Sequence, residues 1–213
     1  MRWDKKKMLL YAVTDRSWLG QKTLVTQVED ALKGGATCIQ LREKELDHKS
    51  FLKEAFEIKA LCNKYNVPFI INDDVGIAIK CGADGVHVGQ HDMSPWKVRE
   101  KIGEKMILGV SAQTVEQAML AEKGGADYLG VGAVFTTLTK LDADAISYET
   151  LKAICLAVMI PVVAIGGINK QNIMKLRGSG VDGVALVSAI FASEDIEQET
   201  KELRSLSERM LQQ

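Results

Sequence analysis

A short signature recurs four times along the chain: Gly35-Ala36-Thr37, Gly82-Ala83-Asp84, Gly125-Ala126-Asp127 and Gly180-Val181-Asp182. Successive glycines are 47, 43 and 55 residues apart. Each copy ends a stretch of helical periodicity and opens a short apolar run. A glycine after the last helical turn supplies the left-handed residue that turns a chain back on itself. Each interval has room for two strand-helix units, so the signature precedes every even-numbered strand of a set of eight. The spacing predicts strands at Leu9-Thr14, Thr37-Arg42, Pro68-Asn72, Gly85-Val88, Ile107-Val110, Tyr128-Val131, Pro161-Ile165 and Gly183-Val187. Amphipathic segments lie between them at Leu24-Lys33, Lys49-Tyr65, Val75-Cys81, Pro95-Ile102, Val115-Lys123, Tyr148-Val158 and Gln171-Leu176, with a last one from Glu194. Phe51, Ala55, Ile58 and Cys62, for example, recur at the three- and four-residue steps of a helix face. Ser94-Pro95 and Asn169 read as helix starts, and Pro68 and Pro161 stand where a strand tolerates a missing N–H. Eight parallel strands carrying such a repeat predict an α/β fold, a single (β/α)8 barrel over residues 1–213, rather than an open sheet.

The totals narrow the function. The formal net charge is −1 and the pI is near 6.3, which gives no electrostatic reason for nucleic acid or an acidic membrane as partner. Cys38, Cys62, Cys81 and Cys155 are far apart and sit in apolar runs, as buried free thiols in a reducing cytoplasm would. The opening MRWDKKKMLLYAVTD is basic and then apolar, but its apolar run is too short for a signal core and fits a first strand better. The expectation is a soluble cytoplasmic protein.

In a parallel barrel the chemistry belongs at the carboxyl ends of the strands. The third strand ends in Asn72-Asp73-Asp74, and Asp92 follows the fourth. Two carboxylates brought together without a His-rich cluster suit Mg²⁺, which keeps waters and bridges phosphate oxygens. Equally, Asp73 or Asp74 serves as the cap of the next helix. Gln40, Arg42 and Lys44 alternate at the end of the second strand, sharing one face as an anion clamp, unless Arg42 pairs with an acid in the barrel. Ser111 directly follows the fifth strand, where serine also commonly caps a helix. The segment after the sixth strand is long, with Thr136, Thr137, Thr139 and Lys140 in it, as a phosphate-binding or surface loop would be. Gly166-Gly167 after the seventh strand and the turn after the eighth form the amide cradle for phosphate recurrent in such barrels. His87 has inward parity and reads as packed and hydrogen-bonded; His91 is left open. The inventory holds cations and amides but no nucleophile-base pair. That balance favours stabilising a leaving group, pyrophosphate above all.

Seven motifs in this order resemble the thiamine-phosphate synthase family: Tyr11-Ala12-Val13-Thr14-Asp15, Gln40-Leu41-Arg42-Glu43-Lys44, Ile71-Asn72-Asp73-Asp74, His87-Val88-Gly89-Gln90, Leu108-Gly109-Val110-Ser111, Thr137-Leu138-Thr139-Lys140 and Ile165-Gly166-Gly167-Ile168. The resemblance covers nearly the whole chain. It implies condensation of a hydroxymethylpyrimidine pyrophosphate with a thiazole phosphate, by a dissociative substitution that releases pyrophosphate. It implies that the run Gln40, Leu41, Arg42, Glu43 and Lys44, with Asn72, Ser111 and Lys140, holds the pyrimidine substrate. Arg42, Lys44, Ser111 and Lys140 are the implied catalytic residues, and Asp73 and Asp92 the ligands of one Mg²⁺ per subunit. Thr137, Leu138, Thr139, Gly167, Val187 and Ser188 are implied to receive the thiazole phosphate. The chain departs from the family pattern at Ala133 and Thr136, where proline is usual, at Gln113, often histidine, and at His91, often an acid. Missing prolines imply a looser loop and weaker substrate binding. Two other readings stand beside this one, a thiazole tautomerase of the same superfamily and a non-catalytic barrel that binds thiamine precursors. The oligomeric state is open.

Overall fold

The computed structural model describes residues 4–136 and 145–212. Eight strands, β1 Leu10–Val13, β2 Cys38–Leu41, β3 Phe69–Asn72, β4 Gly85–Val88, β5 Ile107–Ala112, β6 Tyr128–Val131, β7 Val162–Ile165 and β8 Gly183–Leu186, close in sequence order into a parallel barrel. Its seam is the β1–β8 pair, with Leu10 opposite Val184 and Ala12 opposite Leu186. Around it run α1 Leu24–Lys33, α2 His48–Tyr65, α3 Val75–Cys81, α4 Pro95–Ile102, α5 Val115–Lys123, α6 Tyr148–Ala157, α7 Ser188–Phe191 and α8 Ile196–Leu211. The chain is a (β/α)8 barrel. Its basic start is one 3-10 turn, Lys5–Met8, leading straight into β1.

Two apolar clusters hold the barrel. Alternate strand residues such as Ile39, Leu41, Ile71, Val86 and Leu108 face outward and meet the helices. The opposite set, including Tyr11, Val13, Cys38, Ile70, Tyr128 and Val163, fills the interior. This two-sided burial is why the strands read as continuous apolar runs. Burial pushes the Cys62 and Cys155 thiols up to about 12, and all four cysteines are free. Among the described residues no helix is long and apolar enough to cross a membrane.

The four repeat glycines, Gly35, Gly82, Gly125 and Gly180, all have positive φ, between 64° and 96°. The third residue of each signature has a task the spacing did not announce. Thr37 Oγ1 accepts the Leu10 N–H at 2.9 Å, and Asp84, Asp127 and Asp182 accept those of Phe69, Leu108 and Val162 at 2.8, 2.8 and 2.9 Å. Each signature thus ties down the first residues of the preceding strand.

Several expectations need correction. Gln171-Leu176 is not an amphipathic α-helix but one 3-10 turn, Ile173–Leu176. Asn side chains compete with helix there: Asn169 Oδ1 accepts the Gln171 N–H, Asn172 Oδ1 accepts the Asn169 N–H, and Asn172 Nδ2 donates to Gly167 O. Asn169 therefore starts a turn. Ser94 precedes Pro95 at the start of α4 but makes no side-chain cap bond. The final helix begins at Ile196, after the Asp195 cap, and α7 precedes it. Strand β5 runs on through Ser111 to Ala112.

Candidate active site at the carboxyl ends of the strands

The strand ends open into a cavity of about 410 Å³, lined among others by Gln40, Arg42, Asn72, His87, Ser111 and Gly167. That volume suits a small organic ligand. Gln40, on the inward side of β2, and Arg42, just past its end, both line the cavity; Lys44, the third residue of the alternation, does not. Arg42 also donates from Nη1 to Asp15 Oδ2 at 2.9 Å, the ion pair expected as the alternative to an anion clamp. Asp15, just past β1, is a member of the site that alternation could not single out. Leu41 is fully buried against the helices. Glu43 likewise turns its side chain from the cavity: Oε2 pairs with Arg16, and Oε1 accepts the N–H groups of Lys44, Glu45 and Leu46. Substrate contacts from Leu41 would have to be made by its backbone.

The cap reading of the aspartate pair holds for one of the two residues. Asp74 caps α3, its Oδ1 accepting the Ile77 N–H at 2.8 Å. Asp73 adopts φ +64°, a conformation Asp tolerates better than most residues. Its carboxylate meets Lys44 Nζ at 2.5 Å. Asp92 Oδ2 accepts the Gly89 N–H at 2.7 Å. Burial raises the Asp73 pKa, and the nearby Asp92 carboxylate adds to that rise, against the opposing pull of Lys44. Two hard oxygen donors that repel each other in this way would suit Mg²⁺, which draws most of its remaining ligands from water or a ligand's oxygens. Among the described residues no group of three or more His, Cys, Asp or Glu gathers as a metal cluster, so protein ligands alone would not complete the shell.

Across the ring, Gly166 and Gly167 have φ +103° and +65°. A Cβ on Gly167 would lie 2.5 Å from Thr136 O and 2.8 Å from Phe135 O, so the segment after β6 lies directly on this pair. Val134 and Phe135 donate their N–H groups to Ile165 O and Gly166 O, and the Ile146 N–H returns to Ala133 O at 2.8 Å. Ala133 is buried against Gly166. Val187 and Ser188 line the same side of the cavity. Thr137, Leu138, Thr139 and Lys140 lie outside the described residues.

A row of hydrogen-bonded side chains forms the cavity floor: Gln40, Tyr11, Tyr128, His87 and Ser111. His87 is packed and bonded as its parity predicted, through Nδ1 to Tyr128 Oη at 3.0 Å and Nε2 to Ser111 Oγ at 2.9 Å. Burial pushes the Tyr11 and Tyr128 phenols well above their usual range. Both tyrosines read in the sequence only as apolar strand residues. Ser111 caps no helix; its side chain serves this row. His91 lines the cavity and is exposed, as does the partly buried Gln113.

Cations on one side of a barrel mouth and a glycine pair on the other would suit a barrel enzyme that handles phosphorylated small molecules. The family described as thiamine monophosphate synthase matches residues 10–190. Over 194 residues the chain is 50% identical to the thiamine-phosphate synthase of Clostridium tetani, covering 91% of this chain and 93% of that one. It is 52% identical over 194 residues to that of Ruminiclostridium cellulolyticum, covering 91% and 92%. A solved thiamine phosphate pyrophosphorylase from Pyrococcus furiosus superposes with a TM-score of 0.90 at 41% identity, over 98% of this chain and 99% of that one. The chain belongs to the thiamine-phosphate synthase family, and it is an enzyme of the transferase class.

Proposed function

We propose that the protein is a cytoplasmic thiamine-phosphate synthase. It joins the diphosphate ester of 4-amino-5-hydroxymethyl-2-methylpyrimidine to thiazole phosphate, forming thiamine phosphate and releasing pyrophosphate. One observation carries this reading: a single cavity is lined by Arg42, Asn72 and His91, whose chain neighbours Asp73 and Asp92 bring their carboxylates together beside Lys44, and by the Gly166–Gly167 pair. Two anion-binding provisions around one cavity match two phosphorylated substrates.

In this reading Gln40, Asn72 and Ser111 orient the pyrimidine, and Arg42 and Lys44, with Lys140, draw off the negative charge of the departing diphosphate. Asp73 and Asp92 hold Mg²⁺, whose chemistry is to neutralise the diphosphate oxygens. Amide groups at Gly167, Val187 and Ser188, with Thr137 and Thr139, seat the thiazole phosphate so that its ring nitrogen faces the pyrimidine methylene carbon. The C–O bond to diphosphate breaks first. The aminopyrimidine shares the positive charge left behind, and the thiazole nitrogen then forms the C–N bond. Orientation and exclusion of water are the main contributions asked of the cavity walls.

The test is pyrophosphate release from the two substrates, with and without Mg²⁺, in the native protein and in Asp73→Ala. Release should need both substrates and Mg²⁺ and fall by about 100-fold or more in the variant. A native protein that binds thiazole phosphate and releases no pyrophosphate would point instead to the tautomerase or the binding barrel.

A further inference from the structure

The row of side chains on the cavity floor has a direction. Five strands contribute one residue each: Gln40 from β2, Tyr11 from β1, Tyr128 from β6, His87 from β4 and Ser111 from β5. The contacts run Gln40 Nε2 to Tyr11 Oη at 2.8 Å, Tyr11 Oη to Tyr128 Oη at 2.8 Å, Tyr128 Oη to His87 Nδ1 at 3.0 Å, and His87 Nε2 to Ser111 Oγ at 2.9 Å. The first four residues are all at most 8% exposed.

The backbone is shaped to hold them. A Cβ on Gly109 would lie 2.2 Å from Tyr128 Cζ and 2.5 Å from His87 Nδ1, and one on Gly130 would lie 3.0 Å from His87 Cε1. Two positions in adjacent strands therefore lack side chains where these rings pass. The Tyr11 and Tyr128 rings meet edge-on, with centroids 5.9 Å apart. Gln90 Nε2 donates to Ser111 O at 2.6 Å, fixing the backbone from which the last hydroxyl projects.

Counting hydrogens sets the direction. The Gln40 amide nitrogen only donates, so Tyr11 Oη accepts from it. Each phenol keeps its single hydrogen, since burial holds both well above their usual range. Tyr11 must then donate to Tyr128, and Tyr128 to His87 Nδ1. A neutral imidazole that accepts at Nδ1 carries its hydrogen on Nε2, and this one donates to Ser111 Oγ. Ser111 Oγ, accepting from His87, keeps its own hydrogen and one lone pair for a ligand in the cavity that Ser111 lines.

We infer that Gln40, Tyr11, Tyr128 and His87 are positioning residues that hold Ser111 Oγ as the acceptor of the His87 Nε2–H, so that its hydroxyl hydrogen is kept for an acceptor atom of the substrate. The acceptor is a ring nitrogen or an ester oxygen of the pyrimidine diphosphate; this assignment rests on the reading that this substrate occupies the cavity. A hydroxyl held in place in advance needs little reorganisation when the substrate arrives.

The test is nitrogen NMR of the full-length, substrate-free protein with 15N-labelled histidine rings, the His87 signals being those lost in His87→Asn. His87 should show a bare Nδ1 and a protonated Nε2. Gln40→Glu places an acceptor-only carboxylate beside Tyr11, so every bond should reverse and His87 should carry its hydrogen on Nδ1. Tyr128→Phe should give mixed tautomers and lower kcat/KM for the pyrimidine substrate about tenfold. Ser111→Ala should then cost far less in that background than in the native protein, as it must for groups acting as one unit. A native His87 protonated on Nδ1, a tautomer unmoved by Gln40→Glu, or additive losses from Tyr128→Phe and Ser111→Ala would each overturn the inference. The NMR readings need no turnover: an inactive protein with the expected tautomers would sink the proposed reaction and leave the directed row standing.

Discussion

Arg16 lies between two carboxylates that respond to it differently. Burial opposes ionisation of Glu43, but the N–H groups of Glu45 and Leu46 and the Arg16 guanidinium outweigh it and hold its carboxyl below the usual 4.5. At Glu54 burial prevails over the Arg16 contact and raises the carboxyl above 4.5. The signs follow from proton linkage. The stability Glu43 supplies is fully present above about pH 4.5 and is lost as pH falls through its depressed value. Glu54, whose ionised form burial penalises, regains stability as pH falls through its raised value. Glu43→Gln should therefore destabilise the protein by about 1.5–3 kcal/mol at pH 7, the range for hydrogen bonds to a charged group. Glu54→Gln should be neutral or stabilising by about 0.5 kcal/mol or less. Urea denaturation at pH 7 and in steps down to pH 3.5 checks both. The Glu43→Gln deficit should shrink on acidification, and a deficit that stays constant would mean the loop does not hang on this carboxylate. The consequence for function is indirect: Glu43 folds the turn from which Lys44 reaches Asp73.

At the scale of the element, the repeated signature joins two tasks within three residues. The glycine turns the helix end, and the polar third residue holds the start of the preceding strand. In three copies that residue also pairs with a cation, Lys59 with Asp84, Arg99 with Asp127 and Lys5 with Asp182. Asp127 is the most built of these. Its Oδ2 takes the Leu108 N–H and an Arg99 nitrogen, while Arg99 also donates to Gly125 O and Met106 O. Asp127→Ala should cost about 1–3 kcal/mol, because it leaves a strand N–H and part of a guanidinium unpaired. Asp127→Asn, which keeps an acceptor for Leu108, should cost less. Thermal denaturation orders the three proteins, and equal losses would show that only the charge matters. Turnover at 25 °C should be unchanged, since Asp127 sits at the opening of β6, at the other end of that strand from the cavity. The glycine half of the signature was legible because a left-handed helix end has a local cause. Its polar half was not, because the N–H it accepts lies 19 residues back for Asp127, and strand pairing alone brings the two together. The same limit explains Gln171-Leu176, where apolar spacing suggested a helix and asparagine side chains imposed a turn.

Closing the ring makes one site of residues that lie far apart in the chain. Alternation at the end of β2 foretold that Gln40 and Arg42 share a face, and the doublet Asp73-Asp74 foretold a carboxylate at the mouth. Neither could say which aspartate caps α3, since that depends on the backbone turn at Asp73. Tyr11 and Tyr128 stayed invisible, because a buried hydroxyl gains its meaning from partners on other strands. All of this depends on the seam between β1 and β8. A Cβ on Gly183 would fall 1.8 Å from Met8 O and 2.9 Å from Leu9 Cα, so even alanine meets backbone that cannot swing aside. By contrast, a Cβ on Gly82 meets nothing within 4 Å, and its φ of +64° is one asparagine can adopt. Gly183→Ala should therefore cost at least about 3 kcal/mol, a large share of an ordinary domain's stability, and lower Tm by roughly 6 °C or more. Gly82→Asn should cost less than about 1 kcal/mol. The seam change should also reach the site, because β8 leads directly to Val187 and Ser188. Calorimetric titration with thiazole phosphate should give weaker binding for folded Gly183→Ala and unchanged binding for Gly82→Asn. A Gly183→Ala protein with native Tm and native affinity would mean that β1 and β8 do not close at this distance, and the cavity would then lose the wall that Val187 and Ser188 form.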